Sequence, residues 1–323
     1  MTNGKTASPC IDIIPDRTEY VKWEEKKKKN LVIADKMIDA GFKKRGILMR
    51  DCATFLQYKK CPDCGKSYIS SANLCRDRLC PTCSWRLSLQ RFAEMCQTFT
   101  MIGEIDTLTV GFLTLTVRNC RAENLTHTIK KINEDWDRLL KRRPIKRMTA
   151  GWAKSLEITY NEEKKTFHPH FHIIWLFNGE RNMTEGELNF TFRQCWNEVC
   201  RLEYEPITDY REINPRTDYA TTDNDNLIRS ILETFKYAVK SDELSEMPLP
   251  IFRTFVNSIK GVRFVSYGGL IKQTRAALGY MDTLENDEDT INLQRDLCTC
   301  GAELTKMILQ WSFSENQYKR FNF

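Results

Sequence analysis

Nine residues, Phe167-His168-Pro169-His170-Phe171-His172-Ile173-Ile174-Trp175, constrain the fold of this chain more than any other stretch. They hold three of its four histidines at every second position, inside a run that reads as a buried strand. Successive side chains of a strand point to opposite faces. His168, His170 and His172 therefore share one face, and Phe171 and Ile173 share the other. Imidazole is the commonest metal ligand, and two or three imidazoles on one face make a cation site. The plain alternative is a polar strand face turned to water.

A chain of 323 residues has room for one large domain and a smaller module. It contains no run of about 18 apolar residues and no apolar signal core near its start, so a cytoplasmic protein without membrane contact is expected. The net charge of +6 is unevenly spread. Residues 1–95 carry 19 Lys and Arg against 11 Asp and Glu, while the remainder carries 30 against 32. A basic N-terminal third, including Lys26-Lys27-Lys28-Lys29, suits a polyanion, most often nucleic acid.

Thirteen cysteines in a cytoplasmic chain point to metal rather than to a disulfide framework. Cys61-Pro62-Asp63-Cys64 and Cys80-Pro81-Thr82-Cys83 are two knuckles fifteen residues apart, a zinc-ribbon spacing. Cys61, Cys64, Cys80 and Cys83 would close a tetrahedron around structural Zn²⁺, with Cys75 as a substitute for one of the first pair. Four thiolates leave no open position, so this module binds or braces rather than catalyses. Lys59, Lys60, Lys66, Arg76, Arg78, Arg86 and Arg91 are interleaved with Tyr58, Tyr68 and Trp85, a pattern suited to phosphate contacts and base stacking. Cys298-Thr299-Cys300 is a weak metal signal by itself.

The remaining periodicities predict an α+β protein with a central antiparallel sheet flanked by helices. One or two helices are expected over 20–57, with Gly41 and Gly46 as breaks, and another from Ser84 to Phe99. Strands are expected at 110–117, 153–160, 167–175, 204–213 and 262–266, and helices at 123–143 (apolar stripe Leu125, Ile129, Ile132, Trp136 and Leu139–Leu140), 184–202 and 223–241. The expected organisation is an arm with helices over 1–57, a zinc module over 58–100, a catalytic domain over 101–280 and an unassigned tail over 281–323.

A turn at 161–165 would bring Glu157 beside the histidines and add a carboxylate to an N/O site suited to Mg²⁺ or Mn²⁺. In the helix expected over 223–241, Leu227, Ile228, Ile231, Leu232, Phe235, Ala238 and Val239 form the apolar stripe. Glu233, Tyr237 and Lys240 fall on the opposite, polar face as neighbours. A phenol is a poor nucleophile unless a cation or a base favours its phenolate.

The order Phe112-Leu113-Thr114-Leu115-Thr116, His168-Pro169-His170-Phe171-His172, Glu233…Lys236-Tyr237…Lys240 resembles the rolling-circle replication initiators of small bacterial plasmids. These are HUH endonucleases, named for two histidines flanking a hydrophobic residue, and the likeness spans roughly residues 60–280. It implies an HUH domain related to the split βαβ arrangement, binding at a double-strand origin, and metal-assisted nicking of one strand. It further implies that His170 and His172 hold the divalent ion, with His168 assisting and Glu157 as acidic ligand. Tyr237 would become linked to the 5′ end, leaving a 3′-OH primer, and Lys240 completes a YxxK pattern. Glu233 matches the carboxylate that activates water for termination. No GxxxxGK[ST] loop is present, so unwinding and synthesis would fall to a host helicase and DNA polymerase. A conjugative relaxase or transposase with the same chemistry, and a non-enzymatic zinc-ribbon DNA-binding regulator, are the competing readings.

Overall fold

The computed structural model describes residues 20–102, 109–179, 183–213, 224–235, 239–280 and 296–321. The helices are α1 (Tyr20–Asp39), α2 (Lys43–Asp51), α3 (Pro81–Ile102), α4 (Leu125–Lys141), α5 (Arg143–Met148), α6 (Glu185–Cys200), α7 (Asn224–Phe235), α8 (Ser241–Glu246), α9 (Leu249–Ser258) and α10 (Gly269–Ala277). The strands are β1 (Phe55–Lys60), β2 (Ser67–Ala72), β3 (Val110–Thr116), β4 (Cys120–Arg121), β5 (Thr149–Asn161), β6 (Thr166–Phe177), β7 (Thr208–Ile213), β8 (Val265–Gly268), β9 (Thr305–Ser312) and β10 (Gln317–Phe321). All the strand pairings among the described residues are antiparallel, as expected for an α+β fold with antiparallel pairing. None of the described helices is long and apolar enough to cross a membrane. The chain forms two compact units, residues 1–93 with 285–323, and residues 94–284.

In the first unit α1 buries Trp23, Lys27, Asn30 and Ala34, one helical stripe at i, i+4, i+7 and i+11. Lys27 thus leaves the basic run and turns inward, where its ammonium donates to the carbonyls of Arg50 and Cys52 at 2.6 Å each. Gly41, at φ +90°, follows the end of α1 as expected. Gly46 instead lies inside α2, because any Cβ there would sit 2.5 Å from Ile38 Cγ1 and 2.7 Å from the Ala34 carbonyl. It is a close-packing residue, not a helix break.

The sheet of this unit runs β10-β9-β1-β2. Its first two strands lie within 281–323, the segment expected as a tail of unassigned role. Ile308, Leu309 and Trp311 of β9 are buried, and Trp311 meets Tyr318 of β10 edge-on at 5.0 Å.

The second unit is built on a six-stranded sheet of order β7-β3-β6-β5-β8, with β4 also on β6. On one face Phe171, Ile173 and Trp175 lie opposite Leu156, Lys154 and Trp152 of β5. Trp136 of α4 packs edge-on against Trp152, Phe171 and Trp175, and Trp196 and Phe192 of α6 meet Phe171 and Trp175. The expected stripe of α4 is buried at Leu125, Ile129, Ile132, Trp136 and Leu139. A Thr184–Glu187 capping box starts α6.

The helix expected over 223–241 is shorter: α7 spans Asn224–Phe235, and Lys240 is extended (φ −72°, ψ 138°) before α8. Asp242 and Glu243 favour a new helix N-terminus here, because carboxylates stabilise a first turn. Ile231, Phe235 and Val239 are buried as expected, whereas Leu232 is exposed.

Within the aromatic layer lies one ammonium. Lys154 is 4% exposed, donates to Asn133 Oδ1 at 2.9 Å, and sits 4.0 Å from the Phe171 ring centre and 5.1 Å from that of Trp136. Burial pushes its pKa down to about 7, with Asp137 opposing. Between pH 7 and about 10.4, the ordinary lysine value, the unfolded chain binds the extra proton, so this site makes stability rise with pH in that window. Lys154→Met should raise the melting temperature by several degrees at pH 6 and lose most of that advantage by pH 10, in thermal melts across the range.

Candidate metal and catalytic site

Residues opposite one another in an antiparallel pair share a face and lie about 4.5–5.5 Å apart. The β5–β6 register sets Glu157 against His170 and Ser155 against His172, and β3 sets Thr116 against His170 and Thr114 against His172. The histidine face is thus the reverse of the aromatic layer. Glu157, His170 and His172 offer one ligand atom each, all within 4.8 Å of one another. His172 Nε2 lies 3.0 Å from Glu157 Oε2 and 3.2 Å from His170 Nε2, and His170 Nε2 lies 3.5 Å from the same carboxylate oxygen.

The surroundings orient both rings. His170 Nδ1 is 3.0 Å from the His168 carbonyl, which only accepts, so Nδ1 carries a proton and Nε2 is the nitrogen turned toward Glu157 and His172. His172 Nδ1 is 3.3 Å from Thr114 Oγ1, and Phe112 stacks on its ring at 5.5 Å. Two imidazole nitrogens and a carboxylate oxygen then converge, an arrangement that a cation at their centre satisfies. This donor set fits a divalent ion with N/O preference. Burial alone would raise the Glu157 carboxyl, but hydrogen bonds and charge from His170 and His172 outweigh it and hold the group well below the usual range.

His168 is half-buried, and its ring does not join the three-residue group. The strand places it one step past the reach of Glu157, opposite Thr159. Its backbone carbonyl, rather than its imidazole, serves the site. Burial and then the neighbouring His170 push its pKa down.

Glu233 of α7 lies over this face, with Oε1 3.9 Å from His172 Nε2 and its side chain 41% exposed. It therefore leans toward the histidines as well as toward water. Lys240 is exposed, with Nζ 3.8 Å from Glu243 Oε1. Tyr237 lies outside the described residues.

The cysteines are regrouped. Cys61, Cys64, Cys80 and Cys83 do not form one four-thiol group. Cys80 and Cys83 join Cys52 and Cys75, while Cys61 and Cys64 join Cys298 and Cys300. The first knuckle lies in the β1–β2 turn, whereas Cys80 immediately precedes α3 and faces α1, its thiol 3.2 Å from Asn30 Oδ1. Cys75 proves an additional member of a group rather than a substitute. Cys52 carried no signal because it has no CxxC partner, although it stands one residue beyond the C-terminus of α2. The expected stacking platforms also change: Tyr58 and Trp85 are buried, and Trp85 packs edge-on against Trp23 at 5.3 Å.

In calorimetric titrations with Mn²⁺, His170→Ala and His172→Ala should each weaken binding by at least tenfold to a hundredfold. His168→Ala should stay within about threefold of the unsubstituted protein, since the carbonyl is retained; a loss as large as that of His170→Ala would make its ring a ligand.

The family model described as "Replication protein" matches residues 66–319. "Protein rep" of Streptococcus pneumoniae serotype 2 is 27% identical over 302 residues, covering 92% of this chain and 91% of the relative. "Protein rep" of Bacillus amyloliquefaciens is 28% identical, covering 90% and 92%, and that of Lentilactobacillus hilgardii is 28% identical, covering 95% and 97%. No solved structure gives a significant match. The order of motifs and matches over most of both chains lead to one conclusion: the chain belongs to the replication protein family, as a plasmid rolling-circle Rep protein.

Proposed function

We propose that this replication initiator nicks one strand of its plasmid origin through Tyr237 and closes the round with the help of Glu233. The observation that carries the reading is the convergence of Glu157, His170 and His172, with the Glu233 carboxylate 3.9 Å from His172. A divalent ion such as Mg²⁺ or Mn²⁺, held by these three side chains, would supply Lewis-acid polarisation of a phosphoryl oxygen. The lowered carboxyl keeps Glu157 an anionic oxygen donor at neutral pH, and the hydrogen bond at His170 Nδ1 turns Nε2 toward it.

The Tyr237 oxygen attacks the scissile phosphorus and releases its proton to solvent. The bond from phosphorus to the 3′ oxygen breaks, leaving a 5′-phosphotyrosine and a 3′-OH primer for a host polymerase. Glu233, half exposed beside the site, takes a proton from water in the terminating hydrolysis. Unwinding is assigned to a host helicase. Origin DNA meets the protein first as duplex and then as locally single strand, and the basic first unit supplies phosphate contacts. Within that unit the buried cluster of Cys52, Cys75, Cys80 and Cys83 holds structural Zn²⁺.

The test is incubation with Mn²⁺ or Mg²⁺ and supercoiled plasmid carrying the cognate origin, followed by analysis of topology and of protein-linked 5′ ends. The full chain should give open circles with covalent adducts. Binding without nicking would favour the regulator reading instead. Tyr237→Phe should lose the adduct by at least a hundredfold, and persistence of the adduct would overturn the nucleophile. Glu233→Ala should nick within a few-fold of normal while terminating about 10²–10⁴ times more slowly.

A further inference from the structure

The first unit contains a second group of four thiols with its own architecture, independent of the nicking reading. Strand β1 ends at Lys60, which pairs with Ser67 of β2 on one side and with Thr305 of β9 on the other. The turn after β1 and the turn before β9 consequently leave the same end of the sheet as neighbours. The first contains Cys61 and Cys64, and the second contains Cys298 and Cys300.

Both turns are built as compact donors. In the first, Gly65 N–H donates to the Cys61 carbonyl, and Cys64 N–H points at Cys61 Sγ at 3.4 Å. In the second, Gly301 N–H donates to the Cys298 carbonyl, and Cys298 N–H to that of Ala302. Two side chains join the turns: Lys66 donates to Thr299 Oγ1 at 3.0 Å, and Lys59 pairs with Asp296 at 2.8 Å.

The four sulfurs lie within 4.8 Å of one another, with Cys61 Sγ 3.5 Å from Cys300 Sγ and Cys64 Sγ 3.4 Å from Cys298 Sγ. A disulfide needs about 2.05 Å. A tetrahedron with Zn–S bonds of about 2.3 Å places its sulfurs roughly 3.8 Å apart. Thiols are weak donors and weak acceptors, so four at this spacing gain little from one another, whereas four thiolates around Zn²⁺ form a closed site. Lys66, held at Thr299 between Cys298 and Cys300, brings one positive charge to the turn that a four-thiolate zinc centre of net charge two minus would occupy.

We propose that Cys61, Cys64, Cys298 and Cys300 bind a second structural zinc ion, which staples the segment leading into β9 to the β1–β2 turn. This site differs in setting from the buried cluster of Cys52, Cys75, Cys80 and Cys83. Cys64 and Cys300 are exposed, so its metal is the more accessible of the two. Its ligands come from opposite ends of the sequence, and it acts as a cross-link wherever metal is bound.

The test is elemental analysis of the full chain, purified under reductant and without chelator, together with Co²⁺ titration followed by thiolate-to-cobalt charge transfer. Two zinc ions per chain are expected, and Co²⁺ should saturate that band at two equivalents. The double variant Cys298→Ser/Cys300→Ser should carry one zinc, as should Cys80→Ser/Cys83→Ser. One zinc in the unsubstituted chain, or two retained in the Cys298→Ser/Cys300→Ser chain, would overturn the proposal. If that variant does not fold, the Co²⁺ titration of the unsubstituted chain decides, with saturation at one equivalent counting against the second site. Nicking activity does not enter these readouts, so failure here leaves the initiator reading intact.

Discussion

The pairing of β5 with β6 is the constraint on which the second unit depends. It runs without interruption from Trp152 opposite Trp175 to Asn161 opposite Thr166. Because side chains alternate with period two, a slip of one residue would exchange the faces along the whole strand. Phe171, Ile173 and Trp175 would meet water, and the histidines would enter the layer beneath Trp136. The aromatic packing therefore holds the register, and the register alone puts Glu157 across from His170. A core contact and a candidate metal ligand set are two sides of one strand pair.

That coupling explains what could be read from the residues. The histidine strand announced itself by alternation, and a hairpin is local, so Glu157 followed from a turn of a few residues. The stripe of α4 and the strand at Val110 were legible for the same reason, since each is a short-range period. Other features depend on partners distant in sequence. Nothing near Cys52 names Cys75 or Cys83 as a neighbour, and nothing near Met307 names Gln57 and Tyr58 of β1. Spacing suggested that two CxxC knuckles share one metal, whereas the β1–β2 hairpin and the approach to α3 send them apart. Lys27 departs in a similar way from the run expected to bind a polyanion. A run of four lysines looks like a solvated face, but a helix turns about one of every four inward, and here that one meets carbonyls that the end of α2 leaves without helical partners.

The site also departs from a simple division between polar and apolar helix faces. Glu233 lies away from the buried Ile231 and Phe235 of α7, yet its carboxylate comes within 3.9 Å of His172 while 41% of its side chain meets water. A partly exposed carboxylate with reach to both imidazole and solvent has the setting of a general base for water. His168 makes a comparable point about roles: the residue that completes the sequence pattern contributes through its main chain. Hydrogen bonds to the outer nitrogen of a ligating ring decide which lone pair faces inward, and backbone carbonyls do this as well as side chains.

The two units differ in how their sequence is distributed. Residues 94–284 form one continuous stretch, whereas the other unit needs residues 305–321 for half of its four-stranded sheet. During synthesis the histidine face can therefore be complete while β1 still lacks a neighbour on one side. A chain truncated before β9 would carry the whole β3–β6 framework, an unpaired edge on β1, and two orphaned thiols in the β1–β2 turn. Such an edge is prone to pairing with other chains. Completion of the basic unit thus waits on two strands that follow β1 by more than 240 residues.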